Sequence, residues 1–484
     1  MIDKRIFLLM AGIGILGAIT SLGILSQTSS FFKDKIASQL VLRNGSESWK
    51  QWLDPGVPVY MKFYLFNITN PEEYGQGQEN PNMTEVGPFV FQEVRTKNVD
   101  RLSEDLTRVF YADERAFVFV QELSGASLDD EITFINVPAN AAVTKIIKMG
   151  EQIASLFLQI IQQIFATNKV TLFETHSAGQ ILFDGFKISF MDDLNKILAQ
   201  RGIPPSPTQF GLMYKKNNTD EGLMEAYTGV DSIDHLMSIK SWNGNETLDI
   251  WNGSSCNTVG GTDGSGFKPN LRSLSKDKHL DVFVAQLCRS LKLEFESLAK
   301  VKGVNTAKYT APKETFQSPS TNPDNECYCI EDDLSKCNID GLLDLSTCQK
   351  SPSIYASSPH FYLGSPELSQ NVTGLNPEAE KHGTFLYVEQ MTGKVFKAAK
   401  RIQLNTQVRK NNLVEILNNV GNVMYPIAWF EESFEITDDK AEQFKSKITR
   451  KMSMVVSIII SGAVFSIFLL LAGLGLHTWA KSRE

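Results

Sequence analysis

Six cysteines and seven glycosylation acceptors are the residues of this chain with the most legible chemistry. Cys256, Cys288, Cys327, Cys329, Cys337 and Cys348 all fall within residues 256–348. Asn-x-Ser/Thr acceptors stand at Asn44, Asn67, Asn82, Asn217, Asn245, Asn252 and Asn371. An even, clustered cysteine set beside such acceptors indicates a disulfide framework formed in an oxidising compartment. The rival is a zinc site built from Cys327, Cys329, Cys337 and Cys348. One residue separates the first pair and ten the second, whereas zinc sites favour about two to four within a pair. The pairing itself stays open, except that Cys327 and Cys329 sit too close together to be good partners for each other.

Catalytic patterns are absent from the sequence. His176, His235, His279, His360, His382 and His477 are scattered, and neither His-Glu-x-x-His nor Gly-x-Ser-x-Gly occurs. Gly264-Ser265-Gly266 has the composition of a turn. Asp263 lacks companion ligands at the spacing a calcium loop needs. These patterns point away from an enzyme and imply no cofactor and no metal.

Disulfides and glycans require that the middle of the chain lie outside the cytosol, and two apolar runs supply the boundary. Ile6–Leu25 and Met454–Leu476 carry no ionisable side chain, and each is long enough to cross about 30 Å of hydrocarbon as a helix. The first resembles a signal peptide only in the Lys4-Arg5 pair ahead of it; it is too long for an h-region and lacks an Ala-x-Ala site. Lys445, Lys447, Arg450 and Lys451 crowd the outer flank of the second run, so charge bias alone leaves orientation undecided. The organisation expected is a cytosolic N-terminus at 1–5, a first span at 6–26, an ectodomain at 27–452, a second span at 453–477 and a cytosolic C-terminus at 478–484. Gly14 with Ala18, and Gly462 with Ser466, have small-xxx-small spacing suited to helix association or a homo-oligomer.

Between the spans, strand rhythm appears at Val57–Phe66, Phe89–Val94, Arg115–Gln121, Phe385–Glu389 and Lys394–Leu404. Helical rhythm appears at Glu151–Phe165, Met191–Gln200 and Leu413–Asn419. The fold class expected is α+β, with a large antiparallel sheet or barrel. A net charge of −8 and no basic stripe among aromatics argue against nucleic acid as a partner. Gln152–Asn168 is the oddest element, because it holds no charged residue. Its apolar stripe either packs on a core or meets lipid, a lipoprotein or a partner helix.

Several segments carry a resemblance. Phe63-Tyr64-Leu65-Phe66-Asn67-Ile68-Thr69-Asn70-Pro71, Glu85-Val86-Gly87-Pro88-Phe89, Leu172-Phe173-Glu174-Thr175-His176 and Gly261-Thr262-Asp263-Gly264 are similar to signature segments of the class B scavenger receptors. So are Cys288-Arg289-Ser290, Pro359-His360-Phe361-Tyr362 and Ala398-Ala399-Lys400-Arg401-Ile402-Gln403-Leu404-Asn405. That family takes in fatty-acid translocase, lysosomal integral membrane protein type 2 and the sensory neuron membrane proteins. The resemblance implies an irregular antiparallel β-barrel with a membrane-distal helical cap at about 141–200, enclosing a lipid tunnel. It implies bridges Cys256–Cys327, Cys288–Cys348 and Cys329–Cys337 within the 256–348 region. It also makes the cap helix a docking face, with Ile153, Leu156, Phe157, Ile160, Ile161, Ile164 and Lys169 as its residues.

The function this implies is receipt of fatty acids, sterols or lipoprotein lipid from an extracellular carrier, and passage of that lipid to the plasma membrane. The alternative is an endosomal or lysosomal receptor for a protein cargo. Two departures bear on the choice. The cap helix has Lys169 alone at its end and no histidine, and the tail Ala480-Lys481-Ser482-Arg483-Glu484 has no dileucine or tyrosine signal. No cysteine lies near either bilayer face for palmitoylation.

Overall fold

The structure is a computed structural model that describes residues 4–148, 150–271 and 279–482, with the backbone alone at 4 and 151–153. Alternating aromatic and β-branched residues form β1 (Val59–Ile68), β2 (Met83–Leu102) and β3 (Arg108–Phe119). The chain then enters the cap, with β4 (Glu131–Ile135), β5 (Phe173–Ser177), β6 (Phe186–Lys187) and β7 (Gln209–Phe210). It returns through β8 (Met224–Tyr227), β9 (Ile239–Trp242), β10 (His279–Val284), β11 (Arg289–Val301), β12 (Val304–Thr310), β13 (Leu343–Asp344), β14 (Tyr355–Ser357), β15 (Phe385–Val388), β16 (Val395–Val408) and β17 (Val423–Glu435).

One antiparallel sheet runs in the order β10-β11-β12-β15-β16-β17-β1-β2-β3-β8-β9, with β14 on β16 and β13 on β14. Its ends approach each other through the Gly261 turn, where Ile239 N–H donates to Gly261 O and Thr262 bridges Val282. The result is a nearly closed barrel. A side chain at Gly261 would place Cβ 2.4 Å from the Asp281 carbonyl, so the closure demands glycine there. β1 starts two residues after the expected strand, beyond Pro58, which has no N–H to give a ladder. The runs at Phe89–Val94 and Arg115–Gln121 belong largely to the much longer β2 and β3.

Cap helices span Val137–Ile147, Glu151–Thr167 and Met191–Gln200. The first opens with Asn136, whose side chain accepts from Ala139 N–H at 3.0 Å, and Pro138 follows where a helix N-terminus tolerates it. Ile161, Ile164 and Phe165 pack with Phe190, Ile132 and Phe134 in a core continuous with the top of the barrel. The helix expected at Leu413–Asn419 is instead a single 3₁₀ turn, Glu415–Leu417. Val414 and Leu417 are buried there as anchors of a loop, and Glu415 N–H donates to Gln162 Oε1 at 2.8 Å, so apolar spacing reflected docking rather than helix.

Both anchors are longer than their apolar runs. The first helix is Lys4–Leu40; the last is Lys451–Lys481, entered from Asp438–Phe444 through a π-helical turn at Lys445–Arg450. Each is long and apolar enough to cross a membrane. They pack antiparallel through glycine notches: a Cβ on Gly14 would lie 2.4 Å from Leu470 N, and one on Gly473 would lie 2.7 Å from Ala11 N. Gly14 and Ser466 therefore face each other within one chain, which takes up spacing that the sequence left available for association between chains.

Candidate functional site

The cap helix divides its predicted docking residues between two faces. Leu156 is 57% exposed, and Phe157 and Ile160 are half-buried, with the Arg201 guanidinium 4.3 Å over the Phe157 ring. Ile161 and Ile164 are 1% and 7% exposed and belong to the core, so they offer nothing outward. The Ile153 side chain lies outside the described residues. Lys169 is exposed and follows the helix with a left-handed φ of 53°. The outward face is thus Leu156 flanked by Ser155, Gln159 and Gln163, and it is uncharged.

Beneath the cap, Phe183 descends from the turn Gln180–Asp184 into the mouth of the barrel. Its ring centroid lies 4.6 Å from Phe91, 5.5 Å from Phe117 and 5.7 Å from Phe63, with Phe119 and Phe430 completing the wall. One step further along the same strands the wall becomes ionic. Arg95 bonds Glu432 and donates through Nε to Glu93 Oε1 at 3.0 Å, Arg115 lies 3.4 Å from Glu93, and Lys400 lies 3.5 Å from Glu432. A cavity opens onto Arg95, Asp113, Arg115, Lys400 and Glu432. Burial would raise the Glu432 carboxyl, but Arg95, Lys400 and Arg115 hold it far below the usual range. Burial dominates at Glu93 and raises it. Among the described residues, Glu93 Oε2, Asp113 Oδ1 and Arg115 Nε are buried with no hydrogen-bond partner. Asp263, considered for calcium, is taken by Lys97 Nζ at 3.1 Å and the Tyr111 hydroxyl at 3.1 Å.

A second cluster lies on the other face of β1 and β17, under the segment 359–383. Tyr64 stacks on Trp429 at 3.8 Å. Trp429 Nε1–H donates to Glu85 Oε2 at 2.6 Å, and His360 Nε2 lies at the same distance from that oxygen. His382 stacks on His360 at 4.3 Å. Glu85, His360 and His382 present ligating atoms within 4.8 Å of one another, a spacing a metal site requires. Their hydrogen bonds are incompatible with that use. Asn376 N–H donates to His360 Nδ1 at 3.0 Å and Glu378 N–H donates to His382 Nδ1 at 2.8 Å. Each neutral ring must then keep its proton on Nε2, which leaves no lone pair for a cation. Arg401 ties the segment down from below, bonding Glu431 and the carbonyls of Glu380 and Gly383. Gln403 Oε1 accepts from His360 N–H at 2.7 Å, and its Nε2 donates to Asn405 Oδ1 at 2.7 Å. The 398–405 motif therefore supplies buried amides and one arginine that fix this segment.

The bridges Cys256–Cys327, Cys288–Cys348 and Cys329–Cys337 brace the side of the barrel around Trp251 and Tyr328, and all six thiols are used, so no zinc set remains. Asn44, Asn82, Asn217, Asn245, Asn252 and Asn371 are exposed, whereas Asn67 is half-buried with Oδ1 accepting from Thr133 N–H at 2.8 Å. Sequence reasoning did not find Glu85, Trp429, Phe183 or the ionic layer. Among the resemblance segments, 85–89 holds Glu85, 359–362 holds its partner His360, and 398–405 holds Lys400 of the ionic layer.

A disulfide-braced barrel with a helical cap, carried on the first and last helices of one chain, defines a doubly anchored membrane protein. The CD36 family profile matches residues 11–477. Lysosome membrane protein 2 of Rattus norvegicus is 33% identical over 414 residues, 85% of this chain and 82% of that one. Sensory neuron membrane protein 2 of Manduca sexta is 30% identical over 430 residues, with 85% and 82% covered. Scavenger receptor class B member 1 of Bos taurus is 28% identical over 441 residues, with 91% and 83% covered. The chain belongs to the CD36 family, the class B scavenger receptors.

Proposed function

We propose that this chain is a plasma-membrane lipid receptor with both termini in the cytosol. In this reading it takes fatty acids, sterols or lipoprotein lipid from an extracellular carrier at the cap and passes them through the barrel interior to the bilayer. The observation that carries it is the phenylalanine wall of Phe63, Phe91, Phe117, Phe119, Phe183 and Phe430, which links cap to barrel. Water opposes release of an acyl chain by about 0.8 kcal/mol per methylene, and an aromatic wall replaces that barrier by small steps. The ionic layer below it, where Glu93 Oε2, Asp113 Oδ1 and Arg115 Nε are buried without a hydrogen bond, suits the polar head of an amphiphile rather than its tail. Nothing in this transfer needs catalysis, and no enzymatic residue set is assigned.

Introducing a charge by Phe183→Arg should abolish cell-surface lipid uptake while leaving surface expression and disulfides intact. Undiminished uptake by a normally expressed variant would refute the route. The second reading is an endolysosomal receptor for protein cargo, and the similarity to Lysosome membrane protein 2 supports its location. Leu156→Glu with Ile160→Glu separates the two: loss of cargo co-purification at normal lipid flux selects the second.

A further inference from the structure

We propose that Lys33, Lys35, Lys447, Arg450 and Lys451 form a collar that binds acidic phospholipid head groups in the leaflet beneath the ectodomain. The helix register carries this. Ser21 lies level with Gly462, and the helices run antiparallel. Twelve residues further up each helix stand Lys33 and Arg450, and an equal rise of about 1.5 Å per residue keeps them at one height. Lys35, Lys447 and Lys451 lie within a turn of that level. Phe31, 62% exposed and edge-on to Phe32, sits just below, as aromatic anchors do at an interface.

The height matches head groups. Lys33 is eight residues past Leu25, the end of the apolar run, or about 12 Å above it. Long cationic side chains reach back over such a distance. Residues 445–451 hold four cations and no acid. Glu442 takes Lys445 and Arg450, Lys447 reaches Glu47 only at 4.0 Å, and Lys33, Lys35 and Lys451 have no acidic partner among the described residues. The field is felt nearby. Burial lowers Lys394, and Lys447 lowers it further. Cations on the ectodomain side also run against the bias that places Lys and Arg in the cytosol. Acidic head groups in the facing leaflet would offset that bias, because juxtamembrane cations are drawn to an anionic membrane surface.

The test uses the full chain in nanodiscs of phosphatidylcholine with about one-fifth phosphatidylserine, followed by mass spectrometry of the lipid retained on partial extraction. Severalfold enrichment of phosphatidylserine is expected for the wild type, lost at about 0.5 M salt, where screening is strong, and lost in Lys447→Gln/Arg450→Gln/Lys451→Gln. Lys33→Gln/Lys35→Gln, on the other helix, should reduce enrichment by itself and guards against misfolding of the first variant. Equal retention in wild type and both variants would overturn the collar, whatever the outcome for lipid uptake.

Discussion

His382 is the side chain whose chemistry has the clearest consequence for the folded state. Burial, then the neighbouring His360, pushes it down to about 4, while Glu85 and Glu378 oppose and Arg401 adds to the shift. Its unfolded value lies near 6.5, so between pH 6.5 and 4 the unfolded chain binds a proton that the folded chain refuses. Stability from this residue is complete above that window and declines as pH falls through it. Glu85 acts in the same direction: burial would raise it, yet bonds from His360 and Trp429 hold it low, so its contribution is lost at still more acid pH. Protonation at His382 Nδ1 also confronts the Glu378 N–H that points at it. Melting of the full chain in detergent should therefore fall from pH 7.5 to pH 5, and His382→Gln should flatten that slope; an unchanged slope would remove His382 as the cause. None of this was legible in sequence. Glu85 lies on β2, whereas His360 and His382 lie in the 359–383 segment, far along the chain, which Gln403 and Arg401 of β16 hold against it. The sequence displayed the histidines as scattered, and along the chain they are.

Elements were more legible than contacts, because periodicity reports burial. The cap helix Glu151–Thr167 and the helix Met191–Gln200 followed from 3.6-residue spacing, and the strands from alternation. Periodicity could not say which apolar residues face in. Ile161→Ala should destabilise by about 2–5 kcal/mol, the range for emptying a packed core site, whereas Leu156→Ala should be close to neutral by denaturant titration. Comparable losses at both positions would contradict the two-faced helix. The bridges rank by the loops they close: Cys256–Cys327 spans 71 residues and Cys329–Cys337 only 8. Removing the long bridge with paired Ser substitutions should cost about 2 kcal/mol more than removing the short one, on loop entropy alone. Chemical unfolding of the two double variants measures the difference.

At the scale of the whole molecule, composition and the two apolar runs revealed a double tether, but not how the tethers meet. Glycines at 14 and 473 let the helix backbones touch, and no sequence rule distinguishes such a notch from the glycine common in any span. Gly14→Leu or Gly473→Leu should separate the anchors. Disulfide trapping between cysteines placed at Ser21 and Gly462 should then drop severalfold from the level in the unmodified background; equal trapping would argue against the packing. The barrel interior was equally hidden, since Phe91, Glu93 and Arg95 alternate along one strand without announcing that greasy and ionic walls abut.

β1 pairs with β17 along Tyr60–Leu65, so the strands nearest the two membrane helices are zipped to each other. A protease that nicks one outer loop leaves both fragments embedded and still hydrogen-bonded. Shedding of a soluble form into the medium consequently demands two cuts, one beyond each stalk, and a single-site sheddase can clip this molecule without ever releasing it.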